Sequence, residues 1–189
     1  METTNVILCG LGGQGILFMT KIFAHAALGK GFNIIGAETH GMAQRGGSVI
    51  SHLKIGDPES SLVRAGSADF LVALEENESY RNLPFVASHA RIYVNSDSGK
   101  FPVAQVKSFL QAHEIAAYAA PASQMAGELG ASLSTNLAMI GFYSAFNEKP
   151  FTSGELRETV ERISPERFRE LNLKVFDTAH DYGKSQGPV

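Results

Sequence analysis

The feature that most constrains this chain is at its start. Asn5 to Cys9 reads NVILC, and Gly10-Leu11-Gly12-Gly13-Gln14-Gly15 follows at once. A short continuous apolar run rich in β-branched residues suits a strand buried on both faces. Downstream, Ile16, Met19, Ile22, Phe23, Ala26 and Ala27 recur at the spacing of one helix face, with Gly29 and Gly31 as C-terminal stops. Strand, glycine turn and helix in that order form the opening unit of an α/β fold. Phe32 to Ala37, Ser48 to Ile55, Asp69 to Leu74, Ala90 to Asn95 and Ile115 to Ala120 read as five further strands. Helices are expected after Leu74 and over Val103 to His113.

From about residue 121 strands are scarce. Leu133 to Asn147 predicts an apolar helix buried on more than one side. Thr152 and Glu155 are spaced as a capping box opening a helix over Gly154 to Ile163. Ser164-Pro165 pairs an N-cap residue with proline at a first helical position, starting a last helix towards Leu171, and the tail GKSQGPV reads as frayed. The expectation is α/β: one domain over 1–189, a single doubly wound, mostly parallel sheet with helices on both faces and a helical C-terminal extension from about 121.

Composition narrows the function classes. Of 189 residues, 16 are Lys or Arg and 19 are Asp or Glu, a net charge of -3, which argues against nucleic acid as the main partner because phosphate binding needs a basic surplus. No apolar run reaches the roughly 18 residues needed to span a membrane, and no basic segment precedes the first apolar run as a secretory signal requires. The one cysteine, Cys9, excludes an internal disulfide and any Cys-x-x-Cys pair. A cytoplasmic chain is the expectation, with Cys9 a buried inert thiol. The histidines are scattered, and no metal site is predicted. Charged residues amount to only 19%, a hint that part of the surface is covered by a partner.

Gly10, Gly12 and Gly15 match G-x-G-x-x-G between a strand and a helix. Glycines allow a tight turn and close approach of an anion to backbone amides, and the helix N-terminus adds a positive dipole end. The plainer reading is a turn whose glycines only let helix pack on strand. Glu38, at the end of the second strand, stands where a ribose-binding acid would be, which keeps an NAD(P)-dependent dehydrogenase in view. Glu38-Thr39-His40-Gly41-Met42-Ala43-Gln44-Arg45-Gly46-Gly47 then gathers an acid, an imidazole, an amide and a guanidinium in one glycine-rich loop. Arg45 beside Gly46 and Gly47 can fork onto a phosphate or carboxylate, or pair with Glu38 on the surface. Glu75, Glu76 and Glu78 read as a solvated helix start. Asn136 either reaches a ligand loop or caps its own helix.

GLGGQG followed by ETHGMAQRGGSV resembles the gamma subunit of 2-oxoacid:ferredoxin oxidoreductases. The H-G-x-x-Q-R-G-G form of the second segment is similar to the beta subunit of indolepyruvate (arylpyruvate) oxidoreductase. Branches acting on other oxoacids show a tyrosine-glycine-acid variant, from which Thr39-His40-Gly41-Met42 departs. The resemblance covers nearly the whole chain. It implies a subunit of a larger enzyme that decarboxylates a 2-oxoacid on thiamine diphosphate, passes electrons through [4Fe-4S] clusters to ferredoxin and releases an acyl-CoA. It also implies that thiamine diphosphate and the clusters belong to a larger catalytic partner and that this chain alone is inactive. Gly10, Gly12, Gly13, Gln14, Gly15, Glu38, His40, Gln44, Arg45, Gly46 and Gly47 are then the candidates for contacting coenzyme A or the partner. No catalytic residue is assigned to this chain, and a homodimer is open to it when isolated. A module binding a phosphorylated metabolite is the other alternative.

Overall fold

The structure, a computed structural model, describes residues 3–41 and 46–189, apart from the side chain of His40. Six strands form one sheet: β1 (Thr4–Leu11), β2 (Asn33–His40), β3 (Ser48–Gly56), β4 (Ala68–Ala73), β5 (Val86–Asn95) and β6 (Ala116–Ala120), in the order β2-β3-β1-β4-β5-β6. β1, β4, β5 and β6 are parallel. β3 runs against both of its neighbours, β1 and β2. The sheet is thus mixed, and β2 and β3 are antiparallel neighbours instead of two parallel strands. Winding reverses between β1 and β4. The chain leaves β1 for β2 and β3 on one side, then returns to build β4, β5 and β6 on the other.

Burial along β1 explains the two cores. Val6 and Leu8 face one side and Ile7 and Cys9 the other, as the period of two requires, and all four are buried. On the Val6 side lie α1 (Ile16–Gly29), α4 (Ala122–Glu128), α5 (Thr135–Ser144), α6 (Ser153–Ile163) and α7 (Glu166–Gly183), whose apolar residues join one cluster with the sheet. The helices after residue 121, the expected helical C-terminal extension, pack on this face of the sheet. On the Ile7 side, the strands pack with Tyr80 of α2 (Glu76–Arg81) and with Leu110 and Val106 of α3 (Ala104–Ala112).

α5 shows why its sequence is apolar all round: each of its ten residues is buried. Its contact with α7 is close because Gly141 has no side chain. A Cβ there would lie 2.2 Å from the Phe176 carbonyl oxygen. The capping box of α6 is present as the spacing of Thr152 and Glu155 predicts, with Glu155 N–H donating to Thr152 Oγ1 and Thr152 N–H to Glu155 Oε2.

Several local expectations are corrected. α4 was missed, because Ala122–Glu128 is too short to show a period. α7 runs on to Gly183, far past Leu171, burying Asn172, Val175, Phe176 and Ala179 at helical spacing. Ser164 does not cap it; Pro165 is the N-cap, and the Ser164 hydroxyl instead accepts from Asn172 Nδ2 at 3.0 Å. The tail folds back, since Val189 N–H donates to Ala117 O at 2.8 Å along the outer side of β6. Among the described residues no helix is long and apolar enough to cross a membrane.

Candidate functional site

The glycine turn and the β2–β3 hairpin meet at the carboxyl end of the sheet, beside the point where winding reverses. In open α/β sheets this crevice is where ligands are placed. Gly12 N–H donates to Gly47 O at 2.8 Å and Gly46 N–H to Gly12 O at 3.3 Å, so backbone bonds tie the two loops together. Gly46 holds a positive φ of 74° in its turn. Gln14 folds over its own turn. Its Oε1 accepts from Leu11 N–H at 2.7 Å, and its Nε2 donates to Glu75 Oε1 at 2.5 Å across the crevice.

The individual glycines have different tasks. Gly10 is buried, and a Cβ on it would come within 3.0 Å of Leu74 Cβ, so it serves packing of the turn on β4. Gly13 has a φ of 100° and open space where a Cβ would stand. Gly15, at the N-cap of α1, has a φ of 84°, and a Cβ would lie 2.4 Å from Asn136 Nδ2. Only glycine adopts such a conformation without strain. Asn136 Nδ2 donates to Gly15 O at 3.3 Å while its Oδ1 accepts from Leu137 N–H at 2.9 Å. Asn136 thus holds the turn from the first turn of α5, whose N-cap is Ser134 and which no side chain caps.

No side chain caps α1. The Gly12 and Gln14 amides are bonded internally, so the ground left for an anion is Gly13, Gly15 and the first turn of α1. It borders a depression of about 310 Å³ lined by Leu11, Gly12, Gly13, Gly15, Ile16, Leu17 and Val49. Leu17 on its rim is 52% exposed.

The β4 side of the crevice is acidic, and its carboxylates are engaged rather than solvated. Glu78 is 3% exposed, with Ser48 Oγ donating to its Oε2 at 2.5 Å and Arg81 within 3.3 Å of its Oε1. Glu76 accepts from Tyr80 Oη at 2.9 Å and from Ser96 Oγ at 2.8 Å. Sequence reasoning took all three acids for a solvated helix start. The signal it lacked was the arrival of Ser48, from the reversed strand, beside Glu78. Farther along the same end, Asn95 Nδ2 donates to Leu74 O and to Ser123 Oγ, joining β5 to α4. Cys9 is fully buried, and burial pushes its thiol well above the usual range, which leaves it unreactive. No group of three or more potential ligands for a metal ion occurs among the described residues.

Glu38 lies on β2, and β3 separates that strand from β1. In a dinucleotide-binding sheet the ribose-binding acid sits on the strand beside the first. Here the reversed strand takes that place, and the acid is displaced to the edge strand. Gln44 and Arg45 lie outside the described residues, as does the side chain of His40.

Residues 5–182 match the family described as pyruvate ferredoxin/flavodoxin oxidoreductase. The chain belongs to that family. It is 31% identical to indolepyruvate oxidoreductase subunit IorB of Archaeoglobus fulgidus, with 97% of both chains covered. It is 32% identical to the subunit of the same name from Methanothermobacter thermautotrophicus, over 91% of this chain and 93% of that one. In fold it is similar to the gamma subunit of keto/oxoacid ferredoxin oxidoreductase from Geobacter sulfurreducens, at 22% identity and a TM-score of 0.77, with 97% and 99% of the two chains covered.

Proposed function

We propose that this chain is the gamma-type small subunit of a 2-oxoacid:ferredoxin oxidoreductase, working in the cytoplasm on an arylpyruvate such as indolepyruvate. The complex would convert the oxoacid to an acyl-CoA and pass the electrons to ferredoxin. The observation that carries this reading is full-length identity of 31% and 32% with two indolepyruvate oxidoreductase subunits. The H-G-x-x-Q-R-G-G segment at residues 40–47 supports the aryl branch. The chain has one cysteine, and a [4Fe-4S] cluster takes four thiolates, so cluster ligands fall to the larger subunit, and the family resemblance assigns thiamine diphosphate to that subunit as well.

What this chain contributes, in this reading, is a rigid surface at the reversal point. The tied loops present Gly13, Gly15 and the uncapped start of α1, which fit one phosphate of coenzyme A or a carboxylate of the larger subunit. The carboxyl groups of Glu75 and Glu78 line the β4 side, bonded to Gln14 and Ser48, so the α1 side is the approach for an anion. Arg45 would supply the guanidinium fork for the same group.

Co-expression with the larger subunit tests the assignment. The reconstituted pair should reduce ferredoxin or a viologen dye with indolepyruvate and coenzyme A, while this chain alone should be inactive. Arg45→Ala should weaken coenzyme A or subunit binding by about tenfold or more, and Arg45→Lys, which keeps charge without the fork, should rescue it incompletely. Turnover by the lone chain sinks the reading, and unchanged coenzyme A affinity and assembly in Arg45→Ala removes the loop's role.

A further inference from the structure

Among the described residues two carboxylates are buried, those of Glu148 and Glu78. Glu148 is held inside the core by Arg91 and Tyr93. Glu78 lies instead at the carboxyl end of the sheet. An enclosed carboxylate is tolerated only when donors satisfy it. Its donors are Ser48 Oγ, 2.5 Å from Oε2, and Arg81 Nη1, 3.3 Å from Oε1. The Arg81 side chain is 70% exposed, so water can take its place, whereas Ser48 is the first residue of β3. From Ser48 the bonds run on into the site. Its carbonyl accepts from Gly41 N–H at 2.8 Å, and its neighbours Gly46 and Gly47 are the residues bonded to Gly12. Three positions before Glu78, Glu75 takes Gln14 of the glycine turn. One helix start therefore reaches both loops through its carboxylates.

We propose that Glu78 is a positioning residue: through Ser48 its carboxylate fixes where Gly46 and Gly47 lie against Gly12, and so holds the glycine turn in the shape that leaves Gly13 and Gly15 open to an anion. This deepens the reading of the site given above and rests on it for the ligand, though not for the bonds. A carboxylate suits the task because it only accepts. It takes the Ser48 O–H and the Arg81 N–H together, one on each oxygen, and a charged acceptor makes the O–H bond short and strong. Enclosure strengthens that bond further, since little water competes for it. A glutamine there would offer one acceptor oxygen and bring two donor protons that need partners of their own. Ser48 is the link, because its hydroxyl meets the carboxylate while its backbone continues directly from the glycines tied to Gly12. Glu78 acts through Ser48 and not on the ligand.

The test is amide hydrogen exchange of the folded full chain, read on the peptides that carry Gly12 and Gly46. Ser48→Ala deletes the donor and should speed exchange of these two amides about tenfold. Ser48→Thr keeps a hydroxyl and should stay within about twofold of wild type. Glu78→Gln should fall between, and adding it to Ser48→Ala should bring no further gain, because the carboxylate works through that hydroxyl. Tyr80→Phe, which removes a hydroxyl bonded to Glu76 and Val103 instead, should leave both amides unchanged. In the reconstituted complex Ser48→Ala should raise the KM for coenzyme A about tenfold and leave kcat within about twofold, as lost ligand positioning without lost chemistry requires. Exchange in Ser48→Ala within about twofold of wild type, no rescue by Ser48→Thr, multiplying effects in the double variant, or an equal effect of Tyr80→Phe overturns the proposal. Faster exchange with an unchanged KM upholds the positioning and overturns Gly13 and Gly15 as the place where coenzyme A binds.

Discussion

The side chain of Asn136 lies against the backbone of Gly15, its Nδ2 donating to the Gly15 carbonyl at 3.3 Å, although 121 residues separate them. This bond joins the start of α5 to the start of α1. It sets how the glycine turn stands on the buried helix, and it leaves no room for a side chain at position 15.

That geometry predicts coupling. Asn136→Ala should cost about 0.5–1.5 kcal/mol from the lost hydrogen bond. Gly15→Ala should cost about 1–3 kcal/mol from left-handed strain, plus the clash with Asn136. In the Asn136→Ala background the clash is relieved, so the two penalties should fall short of their sum by at least about 0.5 kcal/mol. Urea unfolding of the four proteins measures it, and simple additivity would show that the contact carries no energy.

Gly141→Ala should be among the most damaging single-methyl changes in the chain. The added Cβ would meet the Phe176 carbonyl at 2.2 Å, and backbone on both helices must move to admit it. Overpacking of this kind costs about 1–3 kcal/mol, occasionally more. A thermal midpoint for Gly141→Ala within a degree of wild type would contradict the close α5–α7 packing.

Acid should loosen the Ile7 side of the sheet through His52. Its Nδ1 accepts from Val63 N–H at 3.3 Å, the residue is 5% exposed, and burial holds its pKa below the usual value. A base with a depressed pKa in the folded state contributes stability that is present above the unfolded value of about 6.5 and is lost as pH falls below it. Between pH 7.5 and 5.5 the wild type should lose up to about 1.4 kcal/mol from this residue. His52→Gln should lose correspondingly less over the same interval, which denaturant titration at the two pH values reads directly. His180, also lowered by burial, remains in both proteins as common background.

NADH should bind the isolated chain no better than about millimolar. Gly12 and Gln14 amides are bonded inside the loops, Glu75 stands against Gln14, and β3 occupies the place of the ribose-binding strand. Fluorescence titration checks it. Saturable micromolar binding abolished by Gly12→Val would restore the dehydrogenase alternative.

Local pattern carried much of the fold. The apolar run NVILC, the helix period from Ile16 to Ala27 and the Thr152–Glu155 spacing each depend on residues within a few positions of one another. β1, α1 and the capping box therefore stand where sequence reasoning placed them. What was lost was equally local in origin. The short α4 has less than two full turns over which to show a period, and Ser164 has the right neighbours for a cap but a better acceptor role towards Asn172.

The sequence by itself determined that this is an α/β chain with a glycine turn between β1 and α1, lacking the thiolates for a cluster, and its paired motifs pointed to the family to which it belongs. Only the tertiary structure decided that β3 runs backwards between β1 and β2, which displaces Glu38 from the glycine turn and brings Ser48 onto Glu78. It alone decided that Gln14 bonds to Glu75 and that Asn136 bonds to Gly15. The physical reason is range. Hydrophobic period and capping act over a few residues and are written in their order, whereas strand direction and long-range hydrogen bonds depend on which surfaces the whole chain can bury together, which no local window contains.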